Sequence, residues 1–94
     1  MAWDKAAWMR QWYKRRHARA RTAVVALLGG RCIQCGFADA RALCVDHIEN
    51  GGSAERRKLG GTLAVLKKVL RDAQGYQLLC ANCNLIKEIV RRQA

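Results

Sequence analysis

The chain has 94 residues, with 18 Lys or Arg against 7 Asp or Glu, a formal net charge of +11. A domain of that size buries only about 60–65% of the surface its unfolded chain exposes, so a disulfide or metal staple would help it. The charge points to a polyanion, nucleic acid before an anionic membrane surface, and the longest apolar run, Ala23 to Leu28, is far below the roughly 20 residues that span a bilayer.

The N-terminus lacks the apolar stretch of a secretory signal, so a cytoplasmic location without a membrane partner is expected. A reducing compartment makes the five Cys thiols rather than disulfides, and an odd count does not close a disulfide set. The whole chain reads as a single domain, with a basic helix over 4–28 and a zinc-stapled core over 31–93.

Residues 4–28 are expected to form one helix of about 37 Å. Asp4 is its N-cap, and Gly29 or Gly30 takes the left-handed conformation that ends it. Trp8 and Trp12 share a face and are expected to pack on the core, and Val24, Leu27 and Leu28 continue an apolar stripe. Arg15, Arg16 and Arg19 lie between these ends and suit a DNA backbone.

Residues 31–37 make a tight knuckle, and 41–47 read as a strand with Leu43 and Val45 on one face and Cys44 and Asp46 on the other. Residues 48–61 form a polar, Gly-rich stretch with room for a helical turn. In it, Arg56, Arg57 and Lys58 are candidates for phosphate contact. Thr62 is placed to cap a helix over 63–73, Tyr76 to Leu79 is a short strand, and 84–93 is a final helix. That helix is expected to bury Leu85, Ile86, Ile89 and Val90 and to turn Lys87, Arg91 and Arg92 outward, with Lys87 a further DNA contact.

Cys32-Ile33-Gln34-Cys35 and Cys80-Ala81-Asn82-Cys83 are two Cys-x-x-Cys pairs. Two intervening residues let both sulfurs of a pair reach one tetrahedral ion, and four thiolates leave no open position. Cys32, Cys35, Cys80 and Cys83 are therefore expected to bind a structural Zn²⁺. Cys44 is left over and reads as a small buried strand residue.

Asp46-His47 ends the first strand, and Asn84 directly follows the fourth cysteine. A zinc joining Cys35 to Cys80 makes strand and helix neighbours, so Asp46, His47 and Asn84 can converge. His47 can take a proton from water near neutral pH. The Asp46 carboxylate and the Asn84 amide oxygen suit a loosely held Mg²⁺ or Mn²⁺. Strand neighbours point opposite ways, so the strand must end or bend at His47 for both to serve one site.

Taken together, the first Cys-x-x-Cys, Val-Asp-His-Ile, Gly-Gly and Gly-Tyr-Gln-Leu-Leu-Cys-Ala-Asn-Cys-Asn resemble the His-Asn-His (HNH) endonucleases. The pattern is most similar to the phage recombination endonuclease VII group, over residues 31–90. The resemblance implies a small α+β fold with a ββα-metal (His-Me finger) core stapled by the four-Cys zinc. It implies DNA hydrolysis with His47 as general base and Asp46 and Asn84 as ligands of the catalytic metal. Asn84 stands where the wider family has its last His, and Gly75 stands where it has its middle Asn. Ile48-Glu49 follows the base, and Lys87 takes a place that is acidic in some relatives, with Glu49 and Glu88 as nearby substitutes. The resemblance leaves a homodimer and a phage packaging or recombination partner open. A non-catalytic zinc-containing DNA-binding module is the alternative function, and an RNA-binding ribbon is disfavoured by the lack of clustered aromatics.

Overall fold

The structure, a computed structural model, describes residues 3–93. Four helices and a two-stranded antiparallel sheet make an α+β fold: α1 (Lys5–Leu27), β1 (Leu43–His47), α2 (Gly52–Leu59), α3 (Thr62–Arg71), β2 (Tyr76–Cys80) and α4 (Ala81–Gln93). A 3-10 turn, Ala40–Ala42, leads into β1. Among the described residues, no helix is long and apolar enough to cross a membrane.

Both ends of α1 are set by local chemistry. The Asp4 carboxylate accepts from the Ala7 N–H at 3.1 Å. At the other end Gly29 and Gly30 take φ of +101° and +73°. Their N–H groups bond back to the Ala26 and Val25 carbonyls, the paired bonds of a Schellman ending. Only Val24 and Val25 of this helix are buried. The earlier turns run past the core, which explains molecular extents of 55 × 27 × 24 Å.

The tryptophans therefore do not pack on the core. Trp8 and Trp12 stack on each other, with centroids 6.4 Å apart and planes 21° from parallel, and both are exposed. Leu27 is exposed as well, and the apolar contact comes from Val24, Val25 and Leu28. The Arg21 guanidinium anchors the start of β1 to α1 by donating to the Ala40 and Leu43 carbonyls at 2.6 and 2.5 Å.

In the sheet, Leu43 pairs with Cys80, Val45 with Leu78, Asp46 with Gln77 and His47 with Tyr76. Alternation puts Leu43, Val45 and His47 on one face and Cys44 and Asp46 on the other. Val25, Cys32, Leu43 and Leu78 form one part of the core. Val24 packs with Val65, Leu66, Val69 and Tyr76 in the other, and Leu28 and Val45 touch both.

Four further expectations change. The polar stretch after β1 contains a full helix, α2, which buries none of its own residues. Thr62 is the first residue of α3, and its N-cap is Gly61, with no side-chain capping bond. Helix α4 begins at Ala81 directly after β2, so Asn84 lies inside its first turn and is not a cap. Leu85, Ile86, Ile89 and Val90 are exposed, because α4 reaches the sheet through Cys83 and Lys87 instead.

Candidate functional site

The thiol centre is built from two backbone knuckles. Cys32 N–H donates to the Phe37 carbonyl, and Gly36 N–H donates to the Cys32 carbonyl at 2.9 Å with Gly36 at φ +82°. Ile33 N–H donates to the Leu78 carbonyl at 2.9 Å, which pins this knuckle to β2. Cys80 ends β2, Cys83 follows in the first turn of α4, and the Cys83 N–H points at the Cys80 sulfur from 3.4 Å.

The Sγ atoms of Cys32, Cys35, Cys80 and Cys83 all lie within 4.8 Å of one another, and those of Cys35 and Cys80 are 3.7 Å apart. A tetrahedron with Zn–S bonds of about 2.3 Å has edges of about 3.8 Å. The four cysteines are thus placed to hold a metal ion such as zinc. Burial raises the Cys32 thiol, but backbone N–H groups of Cys80, Cys35 and Gln34 outweigh it and bring the pKa down to about 6. Cys83, beside the Cys80 sulfur and desolvated, is pushed up to about 12. A metal ion would remove the protons that such crowded thiols otherwise keep. Cys44 stands outside this group, half-buried along the neighbouring cleft rather than in the core.

That cleft, about 750 Å³ and open to solvent, lies between the end of β1, α2 and α4. Asp46, His47, Asn84, Arg56 and Arg57 all line it. Strand alternation sends Asp46 and His47 to opposite faces, yet both reach the cleft because β1 ends at His47. The chain turns there, with Asn50 N–H donating to the His47 carbonyl at 3.0 Å and Asn50 itself at φ +65°.

On the α4 side, one Asp46 oxygen accepts from Lys87 Nζ at 2.6 Å and from Gln77 Nε2 at 2.9 Å. Lys87 Nζ also donates to the carbonyls of His47 and Ile48 at 2.7 and 3.3 Å. These three contacts use all three donors of the ammonium. Lys87 therefore points inward, not out, and has no proton left for an outside phosphate. Ile48 N–H donates to the Gly75 carbonyl at 3.0 Å. The loop after β1 is thus braced by a main-chain oxygen of Gly75 and by Lys87, without an Asn side chain.

On the other side of the cleft, His47 sits in a cage that the sequence did not reveal. Its Nε2 is 3.2 Å from Glu55 Oε2 and shielded from solvent. The ring meets Tyr76 edge-on, with centroids 4.9 Å apart. Tyr76 Oη donates to Glu55 Oε1 at 2.5 Å, and Lys68 Nζ to Glu55 Oε2 at 3.3 Å. Burial pushes the Glu55 carboxyl up, but these donors outweigh it and hold it below its ordinary value. Burial first, and then the Glu55 carboxylate, raise the Tyr76 phenol. Glu55 is the one acidic residue of α2, among Arg56, Arg57 and Lys58. That isolation was the only sequence signal it carried.

The two acidic residues singled out from the sequence behave differently. Glu49 is exposed on the turn. Glu88 lines the cleft but is paired with Arg91 and Arg92 at 2.5 and 3.1 Å. Arg15, Arg16 and Arg19 are exposed along α1, with the Arg16 guanidinium 4.8 Å over the Trp12 ring. Lys58 is exposed as well. Comparison with sequence families, with curated proteins and with solved structures gave no match.

Proposed function

We propose that this protein is an HNH-type endonuclease that hydrolyses DNA phosphodiester bonds, with a structural zinc on Cys32, Cys35, Cys80 and Cys83. One observation carries the reading: Asp46, His47 and Asn84, distant in sequence, line one open cleft together with Arg56 and Arg57. A module that only binds DNA has no use for an imidazole, a carboxylate and an amide that line one cleft.

The ββα-metal core of such enzymes corresponds here to β1, β2 and α4. The donor set fits a loosely held divalent ion. Asp46 keeps one oxygen without a hydrogen-bond partner among the described residues, and the Asn84 side chain likewise has none. A single carboxylate and a neutral amide suit Mg²⁺ or Mn²⁺ that retains most of its water. Bound there, such an ion would stabilise negative charge on the phosphate oxygens and the departing oxygen.

The chain's own residues do the rest. His47 takes a proton from a water in the cleft as the water oxygen bonds to phosphorus. The bond from phosphorus to the departing oxygen breaks, and solvent supplies that oxygen's proton. Arg56 and Arg57 draw the phosphate into the cleft, and Arg15, Arg16 and Arg19 along α1 extend the basic track for the backbone on either side.

The test is plasmid nicking with Mg²⁺ or Mn²⁺. Wild-type protein is expected to convert supercoiled to relaxed plasmid, and His47→Ala is expected to lose this while metal analysis still finds one zinc per chain. Equal behaviour of the two proteins would sink the enzyme reading and leave a DNA-binding module.

A further inference from the structure

Beyond the residues assigned so far, the cage around His47 contains a carboxylate. We infer that Glu55 is the positioning residue of the site: it holds the His47 proton on Nε2 and so turns the Nδ1 lone pair into the cleft. The inference rests on the reading of His47 as general base.

His47 Nε2 is shielded from water and makes no hydrogen bond of good geometry; the nearest acceptor is Glu55 Oε2, 3.2 Å away and off the N–H direction, close enough for a small ring rotation to complete the bond. A neutral imidazole carries one N–H and one lone pair. A buried Nε2 lone pair facing a carboxylate would be repelled, whereas an N–H there is attracted to it. The arrangement is favourable only with the proton on Nε2.

Glu55 is kept as an anion by its own partners. Tyr76 Oη donates to one oxygen at 2.5 Å, and Lys68 Nζ to the other at 3.3 Å. Three elements, α2, α3 and β2, thus converge on one carboxylate, which faces one ring nitrogen of β1.

The other nitrogen faces open space of a particular shape. Gly52, the first residue of α2, lies over the Nδ1 edge, where an added Cβ would stand 3.0 Å from Nδ1 and 3.4 Å from Cε1. Gly52 also lines the cleft. The absent side chain leaves room at Nδ1 for a water or a phosphate oxygen. A base that takes its proton at Nδ1 must begin with the proton on Nε2, and fixing a tautomer through the second ring nitrogen is the general device for this.

A bland alternative is that Glu55 merely fastens α2, which buries no residue of its own, to the rest of the fold. The two roles differ in what they do to the imidazole. The test is two-bond ¹H–¹⁵N correlation NMR of full-length, zinc-loaded protein labelled at histidine, at a pH where His47 is neutral. The chain has only two histidines, His17 and His47, so His47→Ala assigns the spectrum.

The expected result is a pyrrole-type Nε2 and a pyridine-type Nδ1 for His47. Glu55→Gln is expected to give a mixed population and a nicking kcat at least tenfold lower at unchanged KM. An Nδ1–H tautomer in the wild type overturns the inference, and that measurement needs no variant to fold. An unchanged tautomer in a folded Glu55→Gln protein overturns it too. If the Nε2–H tautomer is found but no nicking occurs, Glu55 still positions the ring and the nuclease reading fails instead.

Discussion

The replacement Gly52→Ala separates fold from chemistry at this site. Gly52 opens α2 and does not use the left-handed backbone that glycine favours, since the positive-φ glycines include Gly51, Gly60 and Gly61 but not Gly52. Alanine is favoured over glycine within a helix by about 0.5–1 kcal/mol, and by less in a first turn. That preference opposes the cost of a Cβ pressed against the His47 ring, so the fold is expected to survive with little net change in Tm. The new methyl, however, would stand 3.0 Å from His47 Nδ1. A proton-accepting nitrogen needs its water at roughly 2.6–3.2 Å, which is the space the methyl takes. The ring cannot swing away without leaving Glu55 and the edge contact with Tyr76. General-base catalysis is worth about 10²–10⁴ in rate. Nicking by Gly52→Ala should fall by about 10² or more, towards the His47→Ala floor, while Tm holds and zinc content is unchanged. Wild-type nicking by a folded Gly52→Ala protein would refute the assignment of the Nδ1 side as the reactive one.

Three more outcomes follow from the same geometry. Cys80→Ser should lose zinc and cooperative unfolding together, because Cys80 joins β2, α4 and the first knuckle; metal analysis and calorimetry check this, and an unchanged melting curve refutes a structural metal. The Glu55 carboxyl is depressed below its ordinary 4.5 in the folded state, so its contribution to stability is present above that value and disappears as pH falls through the folded pKa. Denaturant titrations from pH 7 downward should therefore show wild type and Glu55→Gln converging in the acid range, and parallel curves would contradict the sign. Lys87→Gln removes the ammonium that competes for Asp46 and should tighten Mn²⁺ binding at low salt, with each 1.4 kcal/mol worth about tenfold by titration calorimetry. Weaker Mn²⁺ binding would mean that Lys87 serves the metal through loop placement instead.

What was legible in the sequence had a local cause. The ends of α1 follow from one carboxylate and two glycines acting on their own backbone neighbours. The four thiols follow from two fixed spacings. What was not legible depends on which elements meet. The α4 apolar residues look like a buried face by period alone, but the helix docks through Cys83 and Lys87, and Leu85, Ile86, Ile89 and Val90 stay outside. The tryptophans of α1 pair with each other because the core begins only at Val24. The role of Glu55 was hidden for the same reason. Its partners, Lys68 and Tyr76, lie on elements whose approach to α2 no residue spacing encodes.

The two metal questions are coupled through β2. Leu43 pairs with Cys80 and Asp46 with Gln77, so the strand that ends in a thiol ligand also sets the height of the carboxylate. Asn84 follows Cys83 by one residue in the first turn of α4, and Lys87 one turn later clamps the carbonyls after β1. An ion on the four sulfurs would therefore fix the start of α4 relative to the sheet, and with it the separation of Asn84 from Asp46. The His47 side is held differently, by Glu55, Tyr76 and Lys68, none of which touches the thiol centre. Loss of an ion from the four thiols should accordingly disturb the Asp46–Asn84 half of the cleft before the imidazole cage. The two halves of the cleft then have separate supports, one the four-thiol cluster and the other a half-buried carboxylate.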